Sequence, residues 1–464
     1  MFKTLKNAWG IADLKKKILF TLLIVVLYRL GASIPVPFVD AAVLSQSDAF
    51  TGTILQYLNI ISGEALSKAT LLALGVSPYI TASIVVQLLT VAIPALERWS
   101  KEGDEGKKKI NVLTRIITIV LALVTSIGYT MFLKQGDIYN GSYLSVETPN
   151  FFHYMVIVLC YCAGAALVMW MAEKINESGI GNGISIILFA NIVAGIYTTV
   201  TTMWMLMFPT GAFKSFDWLG LVVVLAFLVV LLGLVLIVVW MSDAERRIPI
   251  QYAKRVVGRK MYGGQNTNLP IKVNMTGVMP IIFANSIVTI PATFAALASN
   301  FSSANWITKF SDGLTKYFNY DSWIYLVVFV LLLVAFAYFY VMISFNPIEV
   351  ANNIKNNGGA IPGIRSGRPT IEFIKKVLYR ITLVGALLVA FIAGFPMLLN
   401  NILSIDAIQT ALTEAGRTAA YYQSLFTTLA FGGSSLMIVV GVALETTREL
   451  EAQMTLRNYK GFLD

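Results

Sequence analysis

Long apolar runs separated by short polar stretches set the pattern of this 464-residue chain. A helix needs about 20 largely apolar residues to cross the hydrocarbon core of a bilayer. The pattern therefore predicts ten membrane-spanning helices, at Ile18–Ile34, Thr70–Leu96, Leu113–Leu133, Phe151–Met171, Ile184–Met207, Leu219–Met241, Val273–Ala298, Trp323–Phe345, Val377–Leu399 and Tyr421–Leu444. An even number of spans would put both termini on one side of the membrane.

Composition supports an all-α membrane protein. Hydrophobic residues make up 57% of the chain and charged residues 13%, against about 45–50% and about 25% in soluble domains. The first apolar run follows a basic stretch and continues as a span without a small-residue cleavage site, so it is not expected to be a cleaved secretory signal.

The basic residues predict the orientation. Alternate loops hold four basic clusters, which contain Lys3, Lys6, Lys15, Lys16 and Lys17; Arg98, Lys101, Lys107, Lys108, Lys109 and Arg115; Arg246, Arg247, Lys254, Arg255, Arg259, Lys260 and Lys272; and Lys355, Arg365, Arg368, Lys375, Lys376 and Arg380. The opposite loops hold only Lys68, Lys134, Lys214, Lys309, Lys316 and Arg417. The positive-inside rule then places both termini in the cytoplasm, and most of the net charge of +10 reflects this topology.

Two basic loops, Ser242–Lys272 and Asn346–Lys376, are longer than a simple connection between neighbouring spans requires. They combine arginine with tyrosine, glycine and proline, which suggests a shaped surface. Two interpretations stay open: the charges serve topology alone, or the loops dock a cytoplasmic partner with an acidic or phosphate-rich surface.

The second span is irregular at its start. The stretch Ser62–Thr70 is too polar to face lipid, and Gly75 and Pro78 follow before the apolar run resumes. Proline removes a backbone donor, so a kink or break is expected here. One interpretation is a kinked packing helix. The other is a short re-entrant segment that lines or blocks a path, because non-helical backbone within a membrane must be buried or line a cavity.

Glycine-rich runs open the last span of each five-span half, at Gly179–Ile184 and near Phe431–Ser435. Each half has an odd number of spans, so two tandem copies would insert with opposite orientation. The pattern suggests two pseudo-symmetric inverted halves, residues 1–210 and residues 211–464.

Catalytic chemistry is scarce within the spans. Arg29 lies near the outer end of span one, and no Asp, Glu, Lys or His occupies a span centre. The single histidine, His153, lies at a span mouth, and no phosphate-binding glycine loop precedes a lysine. A coupled transporter would need a titratable group at the midplane, and an intramembrane enzyme a nucleophile with its base. A passive conduit without metal, cofactor or enzymatic activity is therefore favoured over these two alternatives.

Taken together, several segments of the chain resemble the SecY family of protein-translocation channels. The similarity is densest at Arg29–Pro37, Ser62–Leu89, Glu177–Gly195, Arg246–Pro280, Asn346–Arg365 and Phe431–Val439. It implies an hourglass of two five-helix halves in the bacterial cytoplasmic membrane, held by SecE with SecG as an accessory subunit. Secretory proteins, signal peptides and nascent chains would pass through it, and transmembrane segments would leave sideways into membrane lipids.

The resemblance also assigns residues to a plug and a pore ring. The plug would be Ser62–Leu74, with Ser62, Gly63, Ala65, Leu66, Ser67, Leu71 and Leu72 as its principal residues. The pore ring would be Val76, Ile80, Ile184, Leu188, Ile282 and Ile438. Val76 and Leu188 depart from the isoleucine that the family often has, and we expect this to change leak more than transport.

A lateral gate is implied between spans two and three on one side and spans seven and eight on the other. Its polar candidates are Ser83, Gln87, Thr125, Asn285 and Ser286, which we expect to hold the gate shut through weak hydrogen bonds. The resemblance further implies that the basic loops dock the SecA ATPase or the rRNA phosphates of the ribosome. The docking residues would be Arg246, Arg247, Lys254, Arg255, Arg259, Arg365 and Arg368. Ser366–Arg368 departs from the proline and glycine common in the family.

Overall fold

The structure is a computed structural model that describes most of the chain. The described residues are 2–45, 58–59, 61–135, 143–146, 149–208, 218–252, 255–257, 260–262, 266–275, 277–301, 313, 317, 322–403 and 419–460. The proposed boundary between residues 210 and 211 lies outside them, as do Lys254 and Arg259.

Helices form most of the described chain. In order they are α1 (Phe2–Trp9), α2 (Ala12–Gly31), α3 (Ala41–Ser45), α4 (Ser77–Ala92), α5 (Pro94–Lys101), α6 (Asp104–Gln135), α7 (Phe151–Ser178), α8 (Gly183–Met207), α9 (Trp218–Asp243), α10 (Met279–Phe301), α11 (Trp323–Ser344), α12 (Pro347–Asn356), α13 (Arg368–Leu403) and α14 (Ala419–Lys460). Five strands complete the elements: β1 (Glu245–Tyr252), β2 (Arg255–Val257), β3 (Lys260–Tyr262), β4 (Asn266–Lys272) and β5 (Gly359–Ala360).

A helix overlaps each of the ten predicted spans. Among the described residues, six helices are long and apolar enough to cross a membrane, or seven if the bent pair α4–α5 counts as one span. Helix α2 fails this test although its middle is apolar, and α10 has only a short described apolar part, Met279–Pro291. The count of ten spans therefore stays a prediction.

The expected break at the start of the second span is confirmed: the backbone forms turns up to Val76, and α4 begins at Ser77. Pro78 lies in the first turn of α4, where a missing N–H costs no helical hydrogen bond, so it starts the helix and does not kink it. A further break, which was not predicted, lies at Ile93, before Pro94, where α4 and α5 meet at a bend of 102°. The residue before a proline is pushed out of helical geometry, and Ile93 is extended at φ −108° and ψ 115°.

The described chain is mostly helical, and its five short strands were not predicted. Strand β1 lies between β4 and β5 in an antiparallel three-stranded sheet, which we call the loop sheet. Ile248 and Ile250 alternate with exposed neighbours on β1, and this period of two is typical of a half-buried strand. They pack in a hydrophobic cluster with Ile271 of β4 and Ile354 of α12. The loops 242–272 and 346–376 are thus joined in one folded unit; β2 and β3 form a separate hairpin.

The two glycine-rich runs behave differently. Helix α8 begins at Gly183, as the first run predicts, because the Asn182 side chain accepts hydrogen bonds from the backbone N–H groups of Ile184 and Ser185. Helix α14 already begins at Ala419, so Phe431–Ser435 lies inside the helix and does not open it. The parallel between the two runs gives no support to the predicted duplication.

The largest hydrophobic cluster includes residues of both predicted halves, from Ile24 of α2 to Val442 of α14. The outer faces are apolar as well: Val229, Leu232 and Leu236 of α9 are 69%, 60% and 69% exposed. Such a contiguous exposed apolar face on a long helix is what a lipid environment favours.

Candidate channel constriction and plug

The predicted pore-ring residues meet in the largest hydrophobic cluster. Val76 precedes α4, Ile80 lies on α4, Leu188 on α8, Ile282 on α10 and Ile438 on α14. These five side chains are at most 5% exposed, and half-buried Ile184 packs against the same cluster. Residues distant in sequence thus share one apolar cluster that contains side chains of both predicted halves, and we call it the constriction cluster.

The predicted plug is irregular and buried. From Ser62 to Val76 the backbone forms turns, which agrees with the re-entrant interpretation and not with a kinked helix. Ala65 and Leu72 belong to the constriction cluster, and Leu71 packs against it. Leu66 belongs to a second cluster with Tyr129 and other residues. The plug therefore connects the constriction to a neighbouring core.

Side chains satisfy much of the plug's own backbone. The Ser62 hydroxyl donates to the Asn59 carbonyl at 2.9 Å and accepts from the Leu66 N–H at 3.2 Å. The Ser67 N–H donates to the Asn59 side chain at 2.9 Å. Glu64 has a positive φ of 66°, an uncommon conformation for a residue other than glycine. Such local bonds replace those that a helix would supply.

Neighbouring segments also hold the plug backbone. The Leu71 N–H donates to the Ile34 carbonyl at 2.8 Å, and the Tyr129 hydroxyl donates to the Leu66 carbonyl at 2.6 Å. Gly164 of α7 faces the plug so closely that an added Cβ would overlap the Leu71 carbonyl. Only glycine allows this approach between helix and plug.

A buried polar group that our sequence analysis missed lies beside the plug. The Asn191 side chain of α8 is fully buried and donates to the Tyr28 hydroxyl and to the Ile61 carbonyl, both at 2.8 Å. Its oxygen accepts from the Arg29 guanidinium at 3.4 Å. Gly63, with φ of +67°, lies against Arg29 and Asn191. The available signal was an asparagine in the middle of an apolar span.

Glu64 joins the plug to the C-terminal half of α8. Its carboxylate accepts hydrogen bonds from the Thr198 hydroxyl and from Lys68, the latter at 3.0 Å. Burial raises the pKa of the Glu64 carboxyl, but the Thr198 and Lys68 hydrogen bonds and the charges of Lys68 and Arg29 outweigh burial and hold the pKa below its ordinary value. Glu64 is thus held in its charged form beside the polar group around Asn191.

A cavity of about 370 Å³ connects plug, constriction and predicted gate. Leu66 and Leu74 of the plug line it, together with four pore-ring residues, Ile80, Leu188, Ile282 and Ile438. Thr125 of α6 and Ser286 of α10 line the same space. Its lining is overwhelmingly apolar, which suits an apolar occupant better than an ion.

The predicted hydrogen-bonded gate cluster is not formed. Thr125 donates to the Leu121 carbonyl of its own helix at 2.8 Å, and Ser286 donates to the Ile282 carbonyl of its own helix at 2.8 Å. Both amide atoms of Asn285 are buried without a partner. Within the described chain no hydrogen bond joins Ser83, Gln87 or Asn285 to another gate candidate. The correction has a local cause, because a hydroxyl on a helix readily bonds the carbonyl one turn earlier.

The predicted docking residues lie on and around the loop sheet. Arg246 and Arg247 are exposed on β1, and Arg247 pairs with Glu245 at 2.6 Å. Arg365 and Arg368 are exposed where the second loop leads into α13, and Arg368 pairs with Glu372 at 3.3 Å. Arg255 begins β2, whereas Lys254 and Arg259 lie outside the described residues. The loop sheet brings both sets of arginines onto one folded unit.

These features define a class: a mostly helical protein with several helices apolar enough to cross a membrane, in which a buried irregular segment packs against an apolar cluster. Comparisons with known proteins name the family. Residues 70–447 match the model of the SecY family. The protein translocase subunit SecY of Streptomyces galbus is 41% identical, with all of both chains covered. The chain therefore belongs to the SecY family.

Solved structures agree on the fold. A SecY structure, in which the plug domain stabilises the closed state of that channel and maintains a membrane seal, gives a TM-score of 0.57 at 16% identity, covering 95% of this chain and 92% of that one. The idle yeast Ssh1 complex, bound to the yeast 80S ribosome, gives 0.58 at 14% identity, covering 95% and 89%. At these identities the similarity concerns the fold alone.

Proposed function

We propose that this protein is the central pore subunit of a Sec translocon in the bacterial cytoplasmic membrane. It passes unfolded secretory proteins across the membrane and releases transmembrane segments sideways into lipid. It is a channel and not an enzyme. In this proposal ten spans form two inverted five-helix halves, both termini are cytoplasmic, and SecE and SecG complete the complex.

One observation carries the proposal: aliphatic side chains from α8, α10 and α14, together with Val76 and Ile80, close on one another directly beside a buried irregular segment. Branched aliphatic side chains can conform to any passing chain, and an apolar constriction excludes ions by dewetting. In this proposal Ser62–Leu74 acts as the plug, and the cavity of about 370 Å³ between α6 and α10 is where the seam opens.

The loop sheet supports the proposed docking of SecA or the ribosome. It presents Arg246 and Arg247, with Arg365 nearby, as exposed guanidinium groups on a folded surface. Guanidinium groups suit the phosphates of rRNA, whereas SecA would need shape and mixed polarity as well.

Reconstitution tests the proposed function. The chain is placed in vesicles with a SecE partner, and SecA, ATP and a radiolabelled secretory precursor are added. We expect ATP-dependent protection of the precursor from external protease. A complete lack of protection, under conditions in which a known SecY complex transports the same precursor, would contradict the proposal.

The predicted seam is tested in the same vesicles. Cysteines replace Ser83 and Asn285, and oxidation or a short crosslinker joins them. We expect the crosslink between the two cysteines to block export. Reduction of the disulfide should restore export. Export that continues with the crosslink in place would remove this pair from the gate.

A further inference from the structure

The hydrogen bonds that reach the plug from outside it come from one side of the channel. Thr198 of α8 bonds to Glu64 and Tyr129 of α6 bonds to Leu66, while Asn191 of α8 bonds to Ile61, the residue directly before the plug. The chain after α2 adds two backbone bonds, at Leu71 and Ala69. All these donors and acceptors belong to residues 1–210. In the described part of residues 211–464, no group hydrogen-bonds to the plug.

In the described part of residues 211–464, the surface that meets the plug region is mostly apolar. Ile282 of α10 and Ile438 of α14 share the constriction cluster with Ala65 and Leu72. The cavity of about 370 Å³ lies on this boundary, between Leu66 and Leu74 on one wall and Ile282 and Ser286 on the other. Apolar contact is non-directional and leaves no unpaired polar atom when it separates. The boundary is therefore where plug and channel wall part most easily.

We propose that Tyr28, Arg29, Asn191 and Thr198 form a polar latch that fixes the plug, through Ile61 and Glu64, to residues 1–210. The plug then travels with this half when the seam opens, and its release is a second, separate step that breaks the latch. This inference rests on the proposed function as a channel. It assigns to four residues outside plug and pore ring a positioning role that sets how tightly the closed channel is sealed.

The burial of Asn191 makes the latch costly to break. Its amide is fully buried, both bonds from Nδ2 are 2.8 Å long, and Oδ1 accepts from Arg29. Moving Ile61 away would leave buried polar groups unpaired, which costs more than the loss of an exposed hydrogen bond. The Thr198–Glu64 contact is exposed at the outer end of α8 and contributes less.

Accessibility of the plug to a thiol reagent tests the latch. Ala65, which is 1% exposed, is replaced by cysteine in the SecE complex after the chain's two cysteines, Cys160 and Cys162, are replaced by alanine. A membrane-impermeant maleimide on the outer side then reports plug release. We expect Asn191→Leu to raise the labelling rate about tenfold, because the three hydrogen bonds of a buried amide are lost.

The chain offers a matched pair on one helix. Thr198→Val removes the bond to Glu64, and we expect a rise of about threefold, as for one exposed charged hydrogen bond. Thr202, one turn further along α8, bonds only to the Thr198 carbonyl, so Thr202→Val should leave the rate unchanged. Thr198→Val also covers the case in which Asn191→Leu fails to fold. Equal rates for the Thr198 and Thr202 variants and the parent would overturn the latch.

A second arm separates plug release from seam opening. Thr125 and Ser286, which line the same cavity, are replaced by cysteines and joined by a short bis-maleimide. The cysteine at Ala65→Cys is then labelled with a second reagent. Mass spectrometry reads the labelling at each site. If release is a separate step, Asn191→Leu keeps its raised rate with the seam joined. A fall to the parent rate would show that release requires seam opening and would overturn the two-step order. Labelling needs no transport, so failure of precursor export would count against the proposed function and not against the latch.

Discussion

The plug and the loop sheet are the two large non-helical regions described in this protein, and they satisfy their backbones in opposite ways. The loop sheet uses a regular ladder, with β1 paired to β4 over seven residues from Glu245 to Gln251. The plug relies on isolated backbone bonds, such as that from Leu71 to Ile34, and on single side chains such as Asn59 and Tyr129. A ladder over an apolar cluster is cooperative, whereas individual bonds can be broken one at a time. We therefore expect the loop sheet to open as one unit and the plug to open bond by bond.

The largest effect is expected from the core of the loop sheet. Ile250→Ala removes a side chain that is 4% exposed and should cost about 2–4 kcal/mol. We expect trypsin to cleave the loop after Arg246 or Arg247 much faster, while ion leak through the resting channel stays at the parent level. Gln251→Ala, on the exposed face of the same strand, is the control. A variant that leaks as well would show that sheet and plug are one cooperative unit.

The second largest effect is expected where α7 packs against the plug. Gly164→Ala places a methyl group against the Leu71 carbonyl, and overpacking of this kind costs about 1–3 kcal/mol. We expect about tenfold to hundredfold higher ion conductance of the resting complex in planar bilayers. Gly195→Ala on α8, where an added Cβ meets nothing within 4 Å, is the matched control. Equal conductance of the two variants would mean that α7 does not seat the plug.

A substitution at Gly63 tests the contacts of the plug itself. Its φ of +67° costs an alanine about 1 kcal/mol, and the new Cβ would lie 2.6 Å from an Arg29 nitrogen. We expect Gly63→Ala to raise resting conductance about tenfold. Gly103→Ala carries a similar backbone penalty, since φ is +76°, but has open space around it. If both variants behave alike, the contact with Arg29 contributes nothing to the seal.

The smallest effect should come from protonation of the Glu64 carboxyl in the plug. The pKa of the Glu64 carboxyl is held below its ordinary value, so its contribution to the seal is complete above about pH 4.5 and is lost as the pH falls through the lowered pKa. We expect resting conductance to rise modestly on acidification below about pH 4. Glu64→Gln should start at the raised level and lose this dependence. An identical acid response in the Gln variant would assign the effect to other groups.

The sequence predicted the helices well because a bilayer demands long apolar runs, as at Gly183–Met207. It also marked Ser62–Thr70 as too polar to face lipid, and the backbone there forms turns. The loop sheet was missed because β1 and β5 pair across about a hundred residues, and such long-range pairing leaves little local signal. Asn191 was missed because its partners come from α2 and the plug, which only the folded chain brings together.

For the gate candidates, the sequence could not predict the hydrogen-bond partners. Hydroxyls such as Thr125 and Ser286 have two possible partners, a neighbouring helix or their own carbonyls, and sequence cannot distinguish these. The pore ring, in contrast, was assigned from the family resemblance alone and stays a prediction. Periodicity alone gives no reason to separate Ile80 or Leu188 from other buried aliphatic residues.

The bend of 102° between α4 and α5 has a consequence for the surrounding lipid. Helix α5 carries Leu96 on a buried face and Arg98 and Lys101 in its last turn, a pattern typical of a helix that lies in the membrane interface. Anchored in this way, helix α4 would be held at one depth along the membrane normal. Shorter acyl chains would then tilt it to relieve the hydrophobic mismatch. Bilayer thickness would thereby bias the seam that α4 borders, without any ligand or partner.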